Sequence, residues 1–221
     1  MTRTFFIWDV HGCYDELMSL VKKIWLIDED HLYFVWDLIN KWPKSREVVE
    51  YVSTRPNTWS VQGNHEYFTM MDMNIVIRSP YLSEGNKKWI QEAVPEYVKS
   101  RGEWIDIYRE YLMNLPHLIE RTDFIVVHGG IHPDFGMDTP PEISTLIRRH
   151  EGRPWYEYYT GTKPIIYGHW AVDGLRIRAN TIGIDTGCCF GWHLTAYCLE
   201  TKEIYQVRAN QVYAKPGHWK D

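Results

Sequence analysis

The 221-residue chain carries oxygen and nitrogen donors in short groups: Asp9-Val10-His11-Gly12, Asp37, Gly63-Asn64-His65-Glu66, His128-Gly129-Gly130 and Gly168-His169. Asp9 and His11 stand two residues apart, so an extended segment presents both to one side, where they can grip a cation. Gly12 then lets the backbone turn sharply. Asp37 adds a carboxylate able to bridge two ions, and Asn64 offers an amide oxygen beside two titratable groups. Each motif alone has a plainer reading: turn residues at 9–12, a helix N-cap at Asn64, hydrogen-bonded core histidines at His128 and His169. Together the donors are mixed oxygen and nitrogen without thiolate, which excludes a structural zinc site and suits manganese, iron, zinc or magnesium. Two such ions, about 3.5–4 Å apart, would activate water and clamp a phosphoryl group for in-line displacement.

Positioning these donors falls to short apolar runs at 4–8, 32–36, 58–61, 123–127, 164–167, 181–185 and 193–199, read as strands, with helices over 14–23, 44–53 and 84–114. The donor groups come just after the runs. In layered α/β folds, ligands collect outside the carboxyl ends of strands, so separate segments can converge on one crevice. Strands alternating with helices predict an α/β fold, and the final third, 164–208, leaves little room for helices and predicts a mixed sheet or sandwich. Segment 64–120 reads as helical, a cap beside the site. A chain of this length fits one domain over residues 1–221, since single cores grow to about 250 residues before splitting.

Composition narrows the function classes. The chain is 44% hydrophobic and 24% charged, ordinary for a globular protein, and its net charge of −5 gives no basic field for nucleic acid. No apolar run approaches the roughly 20 residues that span a bilayer, so no membrane partner is expected. Residues 1–3 lead directly into an apolar run without a cleavable signal pattern. Cys13, Cys188, Cys189 and Cys198 lack any CxxC spacing and read as reduced thiols in a cytoplasmic protein.

The ordered series of motifs resembles the phosphoprotein phosphatase family of calcineurin-like metallophosphoesterases, over about residues 4 to 200. It looks closest to small bacterial and phage serine/threonine phosphatases and to symmetrical diadenosine-tetraphosphate hydrolases. The resemblance implies a β-sandwich of mixed sheets flanked by helices. By position it implies a first metal held by Asp9, His11 and Asp37, and a second by Asp37, Asn64, His128 and His169. Manganese is the first expectation, with iron, zinc, nickel or magnesium as alternatives. His65 matches the proton donor to the leaving oxygen, and Arg148 the arginine that steadies the phosphate. The substrate would be a phosphorylated protein, making the enzyme a phosphomonoesterase, or alternatively a nucleotide polyphosphate. A further alternative is an inactive scaffold that only binds phosphate.

The sequence departs from the family pattern at two kinds of position. Relatives usually read GDxxDRG where this chain reads Trp36-Asp37-Leu38-Ile39-Asn40-Lys41-Trp42. Asn40 replaces an aspartate that pairs with the catalytic histidine, and favours the imidazolium less. Lys41 replaces a phosphate-gripping arginine, keeping the charge but losing the planar fork. Trp8, Trp36, Trp42 and Trp192 stand where relatives typically carry glycine, with Trp25 a further candidate. If those backbones need glycine's φ range or close approach, the indoles are misfits. Alternatively they pack inside or line a stacking surface, as Trp36, Trp42, Trp155, Tyr156 and Tyr158 could for adenine.

Overall fold

All four residues of the run Thr4–Ile7 are buried, and it forms the first strand, β1. The others are β2 (His31–Phe34), β3 (Thr58–Ser60), β4 (Leu118–Glu120), β5 (Ile125–Val127), β6 (Arg149–His150), β7 (Arg153–Pro154), β8 (Ile165–Tyr167), β9 (Arg176–Ile177), β10 (Thr181–Gly183), β11 (His193–Cys198) and β12 (Ile204–Arg208). The helices are α1 (Tyr14–Lys23), α2 (Ser45–Thr54), α3 (Asn64–Met70), α4 (Met73–Val76), α5 (Glu84–Ser100), α6 (Trp104–Ile107), α7 (Arg109–Met113) and α8 (Pro141–Ser144). The structure, a computed structural model, describes residues 2–35, 37–41, 44–71, 73–100 and 102–215. Trp36 and Trp42 lie outside the described residues.

The strands form two mixed five-stranded sheets, β12-β11-β1-β2-β3 and β4-β5-β8-β10-β9, plus the hairpin β6–β7. In the first sheet β1, β2 and β3 run parallel and β11 joins antiparallel; in the second β5, β8 and β10 run parallel. Alternation along β1 sends Phe6 toward the other sheet, edge-on to Phe124 at 5.0 Å and tilted on Tyr33 at 5.5 Å. Phe5 takes the opposite face, the side covered by α1, whose Leu17 and Leu20 are fully buried. This is the expected sandwich of mixed sheets flanked by helices.

The elements differ from expectation in two respects. The helix expected over 84–114 is broken twice: between α5 and α6 Gly102 takes a left-handed φ of 71°, and between α6 and α7 Tyr108 leaves the helical region at φ −104°, ψ 7°. Strands β4, β6, β7, β9 and β12 went unread: β4, β6, β7 and β9 are only two or three residues long, and β12 is a half-exposed edge strand. All four cysteines are buried and unbridged, Cys188 and Cys189 within a 3₁₀ turn. Among the described residues no helix is long and apolar enough to cross a membrane.

The tryptophans at expected glycine positions divide by backbone. Trp8 is absent from the left-handed residues and is 1% exposed, and its indole N–H donates to the Tyr167 carbonyl. Glycine's φ range is therefore not what position 8 demands, contrary to that expectation. The Trp8 ring in turn requires glycine at 168, where a Cβ would lie 2.5 Å from it. Trp192 stacks edge-on to Phe190 at 6.0 Å, also without a left-handed backbone.

Trp25 is different. Its φ is 50° and its side chain is 83% exposed. Trp25 N–H donates to the Lys22 carbonyl and Leu26 N–H to Val21, both at 3.2 Å, which makes a Schellman motif closing α1. Trp25 holds the left-handed position of that motif, where glycine pays no Cβ penalty and an exposed indole contributes little packing. Trp25→Gly is expected to stabilise the fold by about 1 kcal/mol, read as a higher melting temperature. An unchanged or lower value would mean that the indole contributes more than the backbone loses.

Candidate active site

The carboxyl ends of the parallel strands deliver the donors. Asp9 and His11 follow β1, Asp37 follows β2, Asn64 and His65 open α3 after β3, His128 follows β5, and His169 follows β8. Neighbouring loops are joined by backbone bonds: His11 N–H to the Asp37 carbonyl (2.6 Å), Gly12 N–H to Leu38 (2.9 Å), and Gly168 N–H to His128 (2.7 Å). Aiming the side chains inward puts Asp9 (φ 23°), His11 (45°), Asp37 (56°), Asn40 (68°), Lys41 (64°) and His169 (66°) in left-handed backbone. Such conformations cost of order 1–3 kcal/mol each and gather at functional sites.

Asp37 is the hub. Its Oδ2 lies 3.4 Å from His11 Nε2, 3.7 Å from His128 Nε2 and 3.9 Å from His65 Nε2. Its Oδ1 accepts the His65 backbone N–H at 3.1 Å. Asn64 Oδ1 is 3.0 Å from both His128 Nε2 and His169 Nδ1. His11 and His128 turn Nδ1 toward the carbonyls of Ile39 and Val35 at 3.2 Å. Those bonds select the Nδ1–H tautomer and leave each Nε2 lone pair facing the cluster.

The donors fit a bound cation on three counts. His128 Nε2 and Asn64 Oδ1 are then two acceptors facing each other, an arrangement that a shared cation satisfies. Asp9 Oδ1 is buried without a protein hydrogen-bond partner. The Lys41 ammonium reaches into the cluster, 2.7 Å from His11 Nε2, so Lys41 stands among the donors rather than beside them. Metal-compatible groupings include His11–Asp37–His65 and Asp9–Asp37–His128. Asp9, His11 and Asp37 would hold one ion and Asp37, Asn64, His128 and His169 a second.

Electrostatics tell the same story. Burial, then Asp185 and Asp37, pushes the Asp9 carboxyl well above its usual range. Burial also raises Asp37, against the opposing pull of His128 and Lys41. Burial lowers every imidazole here, helped by Lys41 at His11 and His65 and by Arg148 at His169. Both trends disfavour charge on these buried groups, and a divalent ion opposes them by favouring the carboxylates and the neutral imidazoles.

The remaining predicted residues surround this core. Asn40 Nδ2 donates to His65 Nδ1 at 3.2 Å, so the proton of neutral His65 sits on Nε2, toward Asp37. The His65 ring is edge-on to Trp89 of α5 at 5.9 Å, which makes α5 the helical cover beside the site. Arg148 Nη2 donates to the His169 carbonyl at 3.4 Å. Glu66 Oε1 accepts the Ile39 N–H at 3.0 Å, and burial followed by the Asp37 charge pushes its carboxyl up to about 8. Of the aromatics considered for stacking, Trp155 is fully buried against Tyr167 and Tyr156 is also buried, so neither presents a face to a ligand.

Sequence reasoning missed Asp185. It follows β10 as the other donors follow their strands, is 5% exposed, and is among the groups that push the Asp9 carboxyl up. Its Oδ1 accepts the Gly187 N–H at 3.0 Å. Asp185-Thr186-Gly187 carries the signal, but Asp185 also closes the apolar run 181–185 and reads as strand.

This two-sheet sandwich with oxygen and nitrogen donors at its strand ends is the architecture of a metallophosphoesterase. The chain shares 30% identity, over 93% of each sequence, with the asymmetrical bis(5′-nucleosyl)-tetraphosphatase PrpE of Halalkalibacterium halodurans. It is 24% identical to a symmetrical bis(5′-nucleosyl)-tetraphosphatase of Vibrio campbellii, over 93% of this chain and 98% of that one. A crystal structure of a candidate diadenosine tetraphosphatase superposes with a TM-score of 0.76 at 26% identity over 95% of both chains. No family model matches the chain. The chain belongs to the calcineurin-like metallophosphoesterase family and is a metal-dependent phosphohydrolase.

Asp37→Asn removes charge from the residue that faces three imidazoles at once. It is expected to lower both metal occupancy and turnover, by elemental analysis and steady-state rates. Full metal occupancy with wild-type rates would rule out Asp37 as the shared ligand.

Proposed function

We propose that the enzyme is a cytoplasmic dinucleoside tetraphosphate hydrolase that cuts asymmetrically, giving a nucleoside triphosphate and a nucleoside monophosphate. The observation that carries this reading is the 30% identity to an asymmetrical tetraphosphatase across nearly the whole of both chains, with every candidate metal ligand present. The protein-phosphatase reading stands behind it, because the relative at 30% and the solved structure at 26% identity are both tetraphosphatases by name. Four buried, unbridged cysteines support the cytoplasm.

The roles follow from position and chemistry. Divalent ions held by Asp9, His11, Asp37, Asn64, His128 and His169, manganese being the first candidate, would polarise phosphoryl oxygens and lower the pKa of attacking water. Arg148, held against the His169 carbonyl, presents a guanidinium to the polyphosphate, and Lys41 adds a second positive charge. In the reaction, water adds to phosphorus as a bridging P–O–P bond breaks, and the departing phosphate oxygen needs stabilisation or a proton. His65, with Nε2 toward the cluster and Nδ1 engaged by Asn40, is the group placed to give one.

Chromatography of diadenosine tetraphosphate digests tests the assignment. ATP and AMP in equal amounts are expected, at a catalytic efficiency above that for a phosphoserine peptide. ADP as sole product would replace asymmetric with symmetric cleavage, and preference for the phosphopeptide would restore the protein-phosphatase reading.

Asn40→Asp tests the coupling to His65. A carboxylate beside Nδ1 favours the imidazolium, so His65 stays protonated, and able to donate, to higher pH. The basic limb of the pH–rate profile should therefore move upward. An unmoved limb, with chemistry rate-limiting, removes His65 as the acid whose titration Asn40 tunes.

A further inference from the structure

A second convergence of donors lies apart from the ligand cluster, on the loop after β5 and the hairpin β6–β7. The rings of His132 and His150 meet edge-on, 4.6 Å between centroids. Asp134 Oδ2 lies 3.8 Å from His132 Nδ1 and its Oδ1 lies 4.0 Å from His150 Nε2. One donor atom from each of the three falls within 4.8 Å of the others. The imidazoles are largely buried, 20% and 16% exposed, whereas the carboxylate is 68% exposed.

We infer that His132, Asp134 and His150 form a mononuclear site for a divalent transition-metal ion of the zinc or cobalt class. Two imidazoles with one carboxylate are borderline donors that suit such ions and leave coordination positions open to solvent. Metal–nitrogen and metal–oxygen bonds of about 2.0–2.2 Å put two tetrahedral ligand atoms about 3.3 Å apart. The separations of 3.8 and 4.0 Å must therefore contract by about half an ångström. Asp134 can supply that movement because it is the exposed member.

The backbone under each imidazole is held, and the two ring nitrogens, within 4.8 Å of each other, would close on the ion by side-chain rotation. His132 N–H donates to Thr139 Oγ1 at 2.9 Å, and Thr139 is 1% exposed. The His150 carbonyl accepts the Tyr158 hydroxyl at 3.0 Å, and Arg153 lies over the Tyr158 ring at 4.5 Å. Burial and the neighbouring His150 hold the His132 imidazole below its usual range, which favours the neutral ring with one nitrogen lone pair to offer. One protein bond competes: the Asp134 N–H reaches His132 Nδ1 at 3.3 Å, a long contact that an ion displaces. His150 stands two residues beyond Arg148 on the same hairpin, so the ion would pin that hairpin to the loop after β5.

The test counts ions in the full-length protein. Saturation with Zn(II), followed by removal of free metal and elemental analysis, is compared for wild type, His132→Ala/His150→Ala, Asp134→Asn and Asp37→Asn. Wild type should hold one equivalent more than the double variant, and Asp134→Asn, an exposed change that leaves the fold intact, should bind that equivalent at least tenfold more weakly. Asp37→Asn should lose metal from the main cluster and keep the extra equivalent, so this result stands apart from the substrate assignment. Equal stoichiometry in wild type and double variant, or an extra equivalent unaffected by Asp134→Asn, overturns the site.

Discussion

Burying several carboxylates and imidazoles in one cleft is the constraint to which the rest of this fold answers. Asp9, Asp37 and Asp185 are each nearly inaccessible, and the charged form of a buried carboxylate is costly until a cation or hydrogen bonds compensate it. The fold bears that cost at the open ends of its parallel strands, where side chains from six loops meet. Left-handed backbone at six non-glycine residues points them inward. Backbone bonds between adjacent loops, such as His11 to Asp37 and Gly168 to His128, keep the strained segments from relaxing.

The division of labour between the two sheets gives the cleft its bipartite character. The first sheet brings Asp9, His11, Asp37 and Asn64, and the second brings His128, His169 and Asp185. Asn64 links the halves, because its single amide oxygen faces imidazoles from two strands of the second sheet. An ion held by both halves would couple metal binding to sheet docking, stabilising the native pairing over any state in which the sheets separate.

Much of this was legible in the sequence, for identifiable reasons. Apolar runs such as Thr4–Ile7 are short, fully buried and bounded by polar residues, so β1 was found to within a residue. Donor residues placed directly after those runs announced the convergence. The rest depended on information that is not local. Asp185 was hidden because a strand's last residue and a site's first residue look alike in sequence. The break at Gly102 turns on a positive φ, which glycine permits but does not announce. Trp8 and Trp25 looked equivalent as indoles in glycine's place, yet one has a packed slot and the other a left-handed helix terminus; only the backbone separates them. The approach of His132 to His150 joins residues far apart in the chain, with no motif to mark it.

The order of strands in the first sheet has a bearing on how the protein is made. Strand β1 leaves the ribosome well before one of its two neighbours, β11, at residues 193–198. Until then Phe5 to Ile7 must wait with one edge unpaired, while the whole second sheet is synthesised in between. At about 5–20 residues per second that exposure lasts roughly ten seconds or more. A nascent chain that keeps a fully apolar strand waiting so long is a natural client for chaperones that shield hydrophobic segments during translation.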